Sequence, residues 1–429
     1  MSAAALTLIV LGVVALLFVT ELVPLALTAM GGAIALGVLG VIPTKVVFSG
    51  LSNGTVVLFA GMFVVGASMF HTGLAQRLGT GVVKMVGTSE NGLIIGTMGI
   101  AAVLSAFSSN TGTTAALMPV VIGICAAAKI PASRQLMPLA FGAGVGGIIT
   151  LIGTPPNIIA SGALKAAGYR EFGFFEFAKI GIPLTIAGIA YVLLIGKHLL
   201  PKGEAVSDAA VDADAAAEAK AGNADPTKQM ITLAVLIGVV IMMALGLKQF
   251  PLEMAAVTGA IILVLTGCLT EKQAYQGIDW VTIFLFAGMM PIASAMDKSG
   301  AGKLIADQVV GMMGGSPSPL VVTIALFLLS CGLTQVMSNT ACTALLAPIG
   351  ISIAKSLGAS PHAVLMAIAV AASCAFATPV GTPPNTLVLG PGGYKFMDYV
   401  KAGTGLVVVC FIVSVILIPM MWPFFPAGN

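Results

Sequence analysis

Two short stretches of small, uncharged, oxygen-bearing residues are the part of this chain best suited to chemistry. Ser109-Asn110-Thr111 and Ser338-Asn339-Thr340 both lie inside long apolar sequence. Each has a companion: Gly153-Thr-Pro-Pro-Asn157, which begins 43 residues beyond Asn110, and Gly381-Thr-Pro-Pro-Asn385, which begins 42 beyond Asn339. Ser and Thr offer hydroxyl oxygens and Asn an amide oxygen. Uncharged oxygen ligands of this kind suit a hard monovalent cation such as Na⁺. Gly and Pro cannot continue a helix cheaply, so each companion should break one. A broken helix leaves free carbonyls at the end of its first half. It leaves free N–H groups and a positive dipole end at the start of its second half. The carbonyls suit a cation and the N–H groups an anion. One tip can therefore hold both side by side, and two tips can hold two cations and both ends of a dianion.

An isolated polar triplet would most simply bond neighbouring helices together. A triplet that recurs beside a recurring helix break points instead to a transport site near the middle of a membrane. Broken backbone survives in a bilayer only where protein or a water-filled cavity surrounds it. The composition agrees. Of 429 residues, 58% are hydrophobic and 8% charged, against about 25% charged in a soluble chain; the mean hydropathy is +1.08. Apolar runs of about twenty residues recur and strict alternation does not, which selects helices over a β-barrel. The fold class expected is an all-α polytopic membrane protein, with the lipid bilayer as its surroundings. A scattered net charge of +3 argues against a nucleic-acid partner. The six cysteines (Cys125, Cys268, Cys331, Cys342, Cys374 and Cys410) stand singly in apolar segments and read as small buried residues. The start of the chain has no basic n-region of a signal peptide, so the first apolar run reads as a permanent helix.

The spacing places spans over Ala3–Thr20, Pro24–Val41 and Val56–Phe70. Leu74–Val86, apolar but carrying Arg77 and Lys84, reads as an amphipathic helix in the interface. Gly92–Lys129 is interrupted at Ser105–Thr114. It reads as two full spans or as a re-entrant hairpin; arms of roughly 13–16 residues, short of the twenty a span needs, favour the hairpin. Ser133–Ala167 is a span broken at Gly153–Asn157, Tyr169–Lys179 should be interfacial, and Ile180–Leu200 spans back. Residues 201–229 are polar and Ala-rich, a solvated cytoplasmic linker. The rest replays the first half. Leu58-Phe-Ala-Gly-Met62 recurs as Leu285–Met289 and Pro24 as Pro251, both shifted by 227; Asn110 recurs as Asn339 at 229, and Asn157 as Asn385 at 228. Residues 1–200 and 230–429 are thus two repeats, each with five spans and one hairpin. The expectation is about ten spans, two re-entrant hairpins and two broken transmembrane helices. An odd number of spans inverts the second repeat, so the hairpins enter from opposite faces and meet near the midplane. Eleven of the nineteen Lys and Arg fall on the linker's side, a small bias that places the linker inside.

Glu21, Glu253 and Asp279, with His71, His198 and His362, fall at predicted span ends and read as interfacial rather than as a proton relay. No nucleophile–base constellation, HExxH motif or phosphate loop stands in the sequence, so an enzyme is not expected.

At both Ser-Asn-Thr and both Gly-Thr-Pro-Pro-Asn stretches the chain resembles the divalent anion:sodium symporter family. That family lies within the ion-transporter superfamily that also holds citrate and arsenite carriers. The resemblance covers nearly the whole chain. It implies a homodimer in the cell (inner) membrane, each repeat divided between a fixed scaffold and a transport domain that moves as an elevator. It implies symport of Na⁺, at two sites or more, with a small dianionic carboxylate of the succinate, malate or fumarate type. Carried over by motif, the first sodium site takes Ser105, Ser109, Asn110 and the Gly153 carbonyl. The second takes Thr334, Met337 through its carbonyl, Asn339 and the Gly381 carbonyl. The substrate carboxylates meet Asn110, Thr111, Thr154, Ser338, Asn339, Thr340, Thr382 and Pro383. There are departures. The family usually carries one more span before the duplicated unit, so ten spans rather than eleven are expected here. Gly112 and Cys342 depart from the family's usual Ser-Asn-Thr-Ala-Thr. Transport of another oxyanion (sulfate or citrate), a proton-coupled or exchanger variant, and an anion channel are the alternatives. Some exchangers replace the ion by a charged side chain. Neither Ser-Asn-Thr stretch carries Lys, Arg or His, which favours symport.

Overall fold

The computed structural model describes residues 1–86, 89–201, 225–247, 249–314 and 317–425. Residues 202–224, most of the stretch read as a solvated linker, lie outside the described residues, as does the side chain of Lys84. In the first repeat the helices are α1 (Ala3–Thr20), α2 (Leu25–Val38), the single turn α3 (Thr44–Val47), α4 (Gly54–His71), α5 (Leu74–Val86), α6 (Glu90–Phe107), α7 (Asn110–Ala128), α8 (Leu136–Gly147), α9 (Pro155–Ala166) and α10 (Ala178–Leu199). The second repeat gives α11 (Pro226–Leu245), α12 (Leu252–Leu265), α13 (Glu271–Gly277), α14 (Trp280–Ser299), α15 (Ala301–Met312), α16 (Pro319–Leu333), α17 (Asn339–Ser356), α18 (Pro361–Ala372), α19 (Pro383–Leu389) and α20 (Phe396–Met421). Each helix of the first series is answered by the one ten numbers on. Among the described residues every regular element is helical. The α11 helix starts at Pro226, inside the 201–229 stretch, because Asp225 caps it by accepting from Thr227 N at 2.9 Å and proline suits the first helical position.

Eight described helices are long and apolar enough to cross a membrane, and both arms of the first hairpin, α6 and α7, are among them at 18 and 19 residues. They exceed the 13–16 residues expected because Ser105, Thr113 and Thr114 stay helical; only Ser108 and Ser109 leave the helix. The ends show the hairpin. Arg134, just past α7, pairs with Glu90 at the start of α6 at 2.6 Å and donates to the Lys197 carbonyl at 2.6 Å. Both outer ends of the hairpin thus sit beside the end of α10. The outer end of the second hairpin meets the opposite face, where Ser360 N donates to the Phe424 carbonyl at 2.7 Å. Trp422, at the end of α20, donates to Glu176, just before α10, at 2.8 Å. The α10 and α20 helices therefore run antiparallel, and the two hairpins enter from opposite sides.

The inner helices are α8 and α18. Every residue of α8 is buried, and every residue of α18 except His362. A helix apolar on all sides belongs in the middle of a bundle, and their Ala and Gly content permits close packing. The outer frame interlocks across the repeats. A Cβ on Gly61 would lie 2.7 Å from the Ala256 backbone, and one on Gly288 would lie 2.6 Å from that of Ala29. Both glycines belong to the recurring Leu-Phe-Ala-Gly-Met motif, and Ala29 and Ala256 are themselves related by the shift of 227. The motif recurs because α4 crosses α12 of the other repeat, and α14 crosses α2, with the backbones touching.

Candidate functional site

Both hairpin tips and both Gly-Thr-Pro-Pro segments line one cavity of about 640 Å³. Phe59, Met62, Phe63 and Phe70 of α4, with Val281 and Leu285 of α14, form the facing apolar wall. Exposed Glu21 and Asp279 and half-exposed Gly277 stand at its mouth. Arg77 donates to Gln229 at 2.8 Å, and Gln229 to the Thr72 carbonyl at 3.2 Å, which sets the end of α4 beside the start of α11. The cavity accordingly opens on the face where α10 is joined to α11.

Each tip holds a cage of oxygens. The inward-facing atom of the Asn110 amide lies 2.5 Å from Ser105 Oγ, 3.1 Å from the Gly153 carbonyl and 3.3 Å from the Ala143 carbonyl. At Asn339 the distances are 2.7 Å to Thr334 Oγ1 and 3.1 Å to each of the Ala372 and Gly381 carbonyls. Glycine is required at both breaks: a Cβ on Gly153 would sit 2.8 Å from the Ser105 carbonyl, and one on Gly381 would sit 2.9 Å from that of Thr334. The unwound segments are fixed by the last residue of each companion stretch. Asn157 donates to the Thr150 carbonyl at 2.8 Å, and Asn385 to the Thr378 and Ala375 carbonyls, both at 2.9 Å. The N-terminal ends of α7, α9 and α17 all reach the cavity through their capping residues Ser109, Thr154 and Ser338. Ser109 Oγ accepts from Gly112 N at 3.0 Å, whereas Thr154 and Ser338 make no side-chain cap.

The sequence-derived set comes together. All eight carboxylate candidates line the cavity: Asn110, Thr111, Thr154, Ser338, Asn339, Thr340, Thr382 and Pro383. Of the cation candidates, Ser109, Asn110, Gly153, Asn339 and Gly381 line it too. Ser105, Thr334 and Met337 are buried behind the lining. Sequence reasoning missed the Ala143 and Ala372 carbonyls and gave no part to Asn157 or Asn385, although both closed a repeated motif. Of the two departures from the family pattern, Gly112 lines the cavity and Cys342 does not. A Cβ on Gly112 would lie 2.5 Å from the Phe70 ring, and Cys342 is fully buried against Ser330 at 3.5 Å, away from the cavity. Among the described residues lining the cavity, Glu21 and Asp279 are the only charged ones.

Inverted repeats whose hairpin tips and broken helices meet in a cavity open to one face define a secondary transporter. The sequence matches the citrate transporter (CitMHS) family over residues 15–351 and 339–427, and the chain belongs to that family. The resemblance to ion-transporter carriers is borne out at that level. The uncharacterized transporter YfbS of Escherichia coli (strain K12) is 26% identical, with 96% of this chain and 98% of that protein covered. The sodium-dependent dicarboxylate transporter SdcS of Staphylococcus saprophyticus is also 26% identical, covering 95% of this chain and 84% of SdcS. Two solved structures share the fold. They are the YdaH transporter of Alcanivorax borkumensis (TM-score 0.65, 16% identity, 89% of each chain) and MtrF of Neisseria gonorrhoeae (TM-score 0.63, 13% identity, 89% of this chain and 84% of that one).

Proposed function

We propose that this chain couples uptake of a C4-type dicarboxylate to entry of two or more sodium ions. The observation that carries the proposal is the pair of cages at Asn110 and Asn339. With its NH₂ turned inward, each amide shares its two N–H groups among the three oxygens around it. With its oxygen turned inward, it completes a set of four uncharged oxygens: one hydroxyl, one amide and two carbonyls. Such a set calls for a hard cation. The second orientation also sends the NH₂ into the cavity, where it meets a carboxylate. Cation and anion then bind opposite ends of one amide, and each tightens the other's binding by the same factor. On the family motif, Ser109 is taken into the first site and the Met337 carbonyl into the second. Free N–H groups of α7, α9 and α17, and the hydroxyls of Thr111, Thr154, Ser338, Thr340 and Thr382, complete the anion site. The charge of the lining agrees, since it is acidic and the sodium ions supply the positive charge. The 26% identical sodium-dependent dicarboxylate transporter supports the same reading.

In this reading both hairpins, α8–α10 and α18–α20 form a transport domain that moves as an elevator against a scaffold of α1–α4 and α11–α14. The protein works as a homodimer in the inner membrane. Labelled succinate uptake into proteoliposomes, with and without an inward sodium gradient, tests the coupling. Saturable, sodium-driven accumulation with counterflow is expected; unsaturable flux indifferent to sodium would make it a channel. Citrate is the second reading, favoured by the family's description and by a cavity with room for it. Unlabelled citrate that competes better than succinate would select it.

A further inference from the structure

The two cages differ in one brace. In the first repeat the helix break closes on itself, because Ile149 N donates directly to the Gly146 carbonyl at 3.0 Å. The shift of 228 maps these residues onto Ala377 and Cys374. There the direct bond is replaced by the side chain of Gln335. Its Nε2 donates to the Cys374 carbonyl at 3.0 Å and to the Cys331 carbonyl at 3.0 Å, and its Oε1 accepts from Ala377 N at 3.1 Å. A primary amide carries the same donor and acceptor as a peptide, so one side chain stands in for the missing turn. The position of Gln335 in the first repeat is taken by Ala106, shifted by 229, which has no side chain to do this. A threonine latch is common to both breaks. Thr150 Oγ1 donates to the Ala106 carbonyl, and Thr378 Oγ1 to that of Gln335 at 2.7 Å; Thr378 Oγ1 also accepts from Gly381 N at 3.1 Å.

Gln335 adjoins Thr334, whose hydroxyl belongs to the second cage. The segment it braces runs from Ala372 to Gly381, whose carbonyls are the other two walls. We infer that Gln335 is a positioning residue for the second cation site. It holds that cage open in its binding geometry and makes its affinity adjustable independently of the first. The inference rests on the sodium reading proposed above. Replacing Gln335 leaves Ala377 N without its acceptor, whereas the Cys374 carbonyl keeps Phe376 N at 2.9 Å, so the segment must shift to satisfy the freed N–H. The second cage loses its shape while the first keeps its own.

Sodium binding is read as the rise in unfolding temperature of the purified protein across a titration with sodium chloride, against potassium chloride at equal ionic strength. Gln335→Ala and the similarly sized Gln335→Met should each raise the sodium concentration needed by roughly 5- to 100-fold, the range for an unpaired polar group. Thr334→Ala should be non-additive with either, because they act on one cage. Ser105→Ala, in the other cage, should be additive. A general loss of stability would shift the curves in sodium and potassium alike and would not produce that pattern. If a Gln335 variant binds sodium as wild type does, or couples to Ser105 as strongly as to Thr334, the inference is overturned while sodium coupling stands. If wild type gains no more from sodium than from potassium, both fall. Should Gln335→Ala not fold, Gln335→Met and Thr378→Ala, which frees the Gly381 end of the same brace, decide the matter.

Discussion

Asn157 donates from its side-chain amide to the carbonyl of Thr150 at 2.8 Å and so ties the first turn of α9 back onto the unwound segment before it. That segment presents the Gly153 carbonyl to the first cage. Asn157→Ala should lower stability by about 1–3 kcal/mol, the cost of leaving a buried acceptor unpaired. It should also weaken the sodium response. Asn157→Asp, which sets a carboxylate against carbonyls, should do worse. Unfolding temperatures in detergent, taken with and without sodium, would check this; an alanine variant indistinguishable from wild type would dismiss the clamp.

On the proposed sodium reading, Asn110→Asp and Asn339→Asp keep an oxygen for the cage, add a negative charge and lose the NH₂ turned to the cavity. Each variant should retain or strengthen sodium binding while losing uptake of the dianion. Thermal shift in sodium and labelled succinate uptake measure the two separately. A parallel loss of both would mean that the amide does not serve both partners.

Much of this arrangement can be read from sequence, and the reason is specific. Ser109, Asn110 and Thr111 recur as Ser338, Asn339 and Thr340 because side-chain chemistry has to be spelled out in residue types. The Ala143 and Ala372 carbonyls could not be found, since a backbone ligand is written in no particular residue. The hairpin arms run longer than their sequence suggests because Ser105 and Thr113 look like a break but are held in helix, Ser105 with its hydroxyl 2.5 Å from the Asn110 amide. The Leu-Phe-Ala-Gly-Met motif was visible as a duplication. Its meaning depends on Ala256 and Ala29, which lie far away in the chain and unmarked.

Glu21 and Asp279 give the mouth of the cavity a negative field. If the substrate is the proposed dianion, Glu21→Gln should speed its entry from that face. The gain should be several-fold at low ionic strength and fade as the Debye length shrinks to about 8 Å at physiological salt. Initial rates in oriented vesicles across a salt series would show it. A gain independent of salt would rule out an electrostatic origin.

On the opposite face Glu176 accepts from Arg170, Gly173 N and Trp422. Burial pushes its carboxyl up, but these bonds and the Arg170 charge outweigh burial and hold it at about 2, down from 4.5. A depressed carboxyl contributes stability that is fully present above pH 4.5 and lost as pH falls through about 2. Glu176→Gln should therefore cost roughly 1–3 kcal/mol at neutral pH. The difference from wild type should shrink as pH drops from 4.5 towards 2. Paired unfolding curves across that range are the measurement; a constant difference would place the role of Glu176 elsewhere.

The crossing of Gly61 on Ala256, and of Ala29 on Gly288, sets a schedule for biogenesis. Ala256 is translated 195 residues after Gly61. At roughly 5–20 residues per second that is a wait of about 10–40 s. Through that interval the grooved faces of α2 and α4 stand in the bilayer without their partners, open to lipid or to another nascent helix. The first half cannot finish folding on the ribosome; its frame is completed only when the second half is inserted. Two separately expressed halves would therefore each be incomplete, yet complementary.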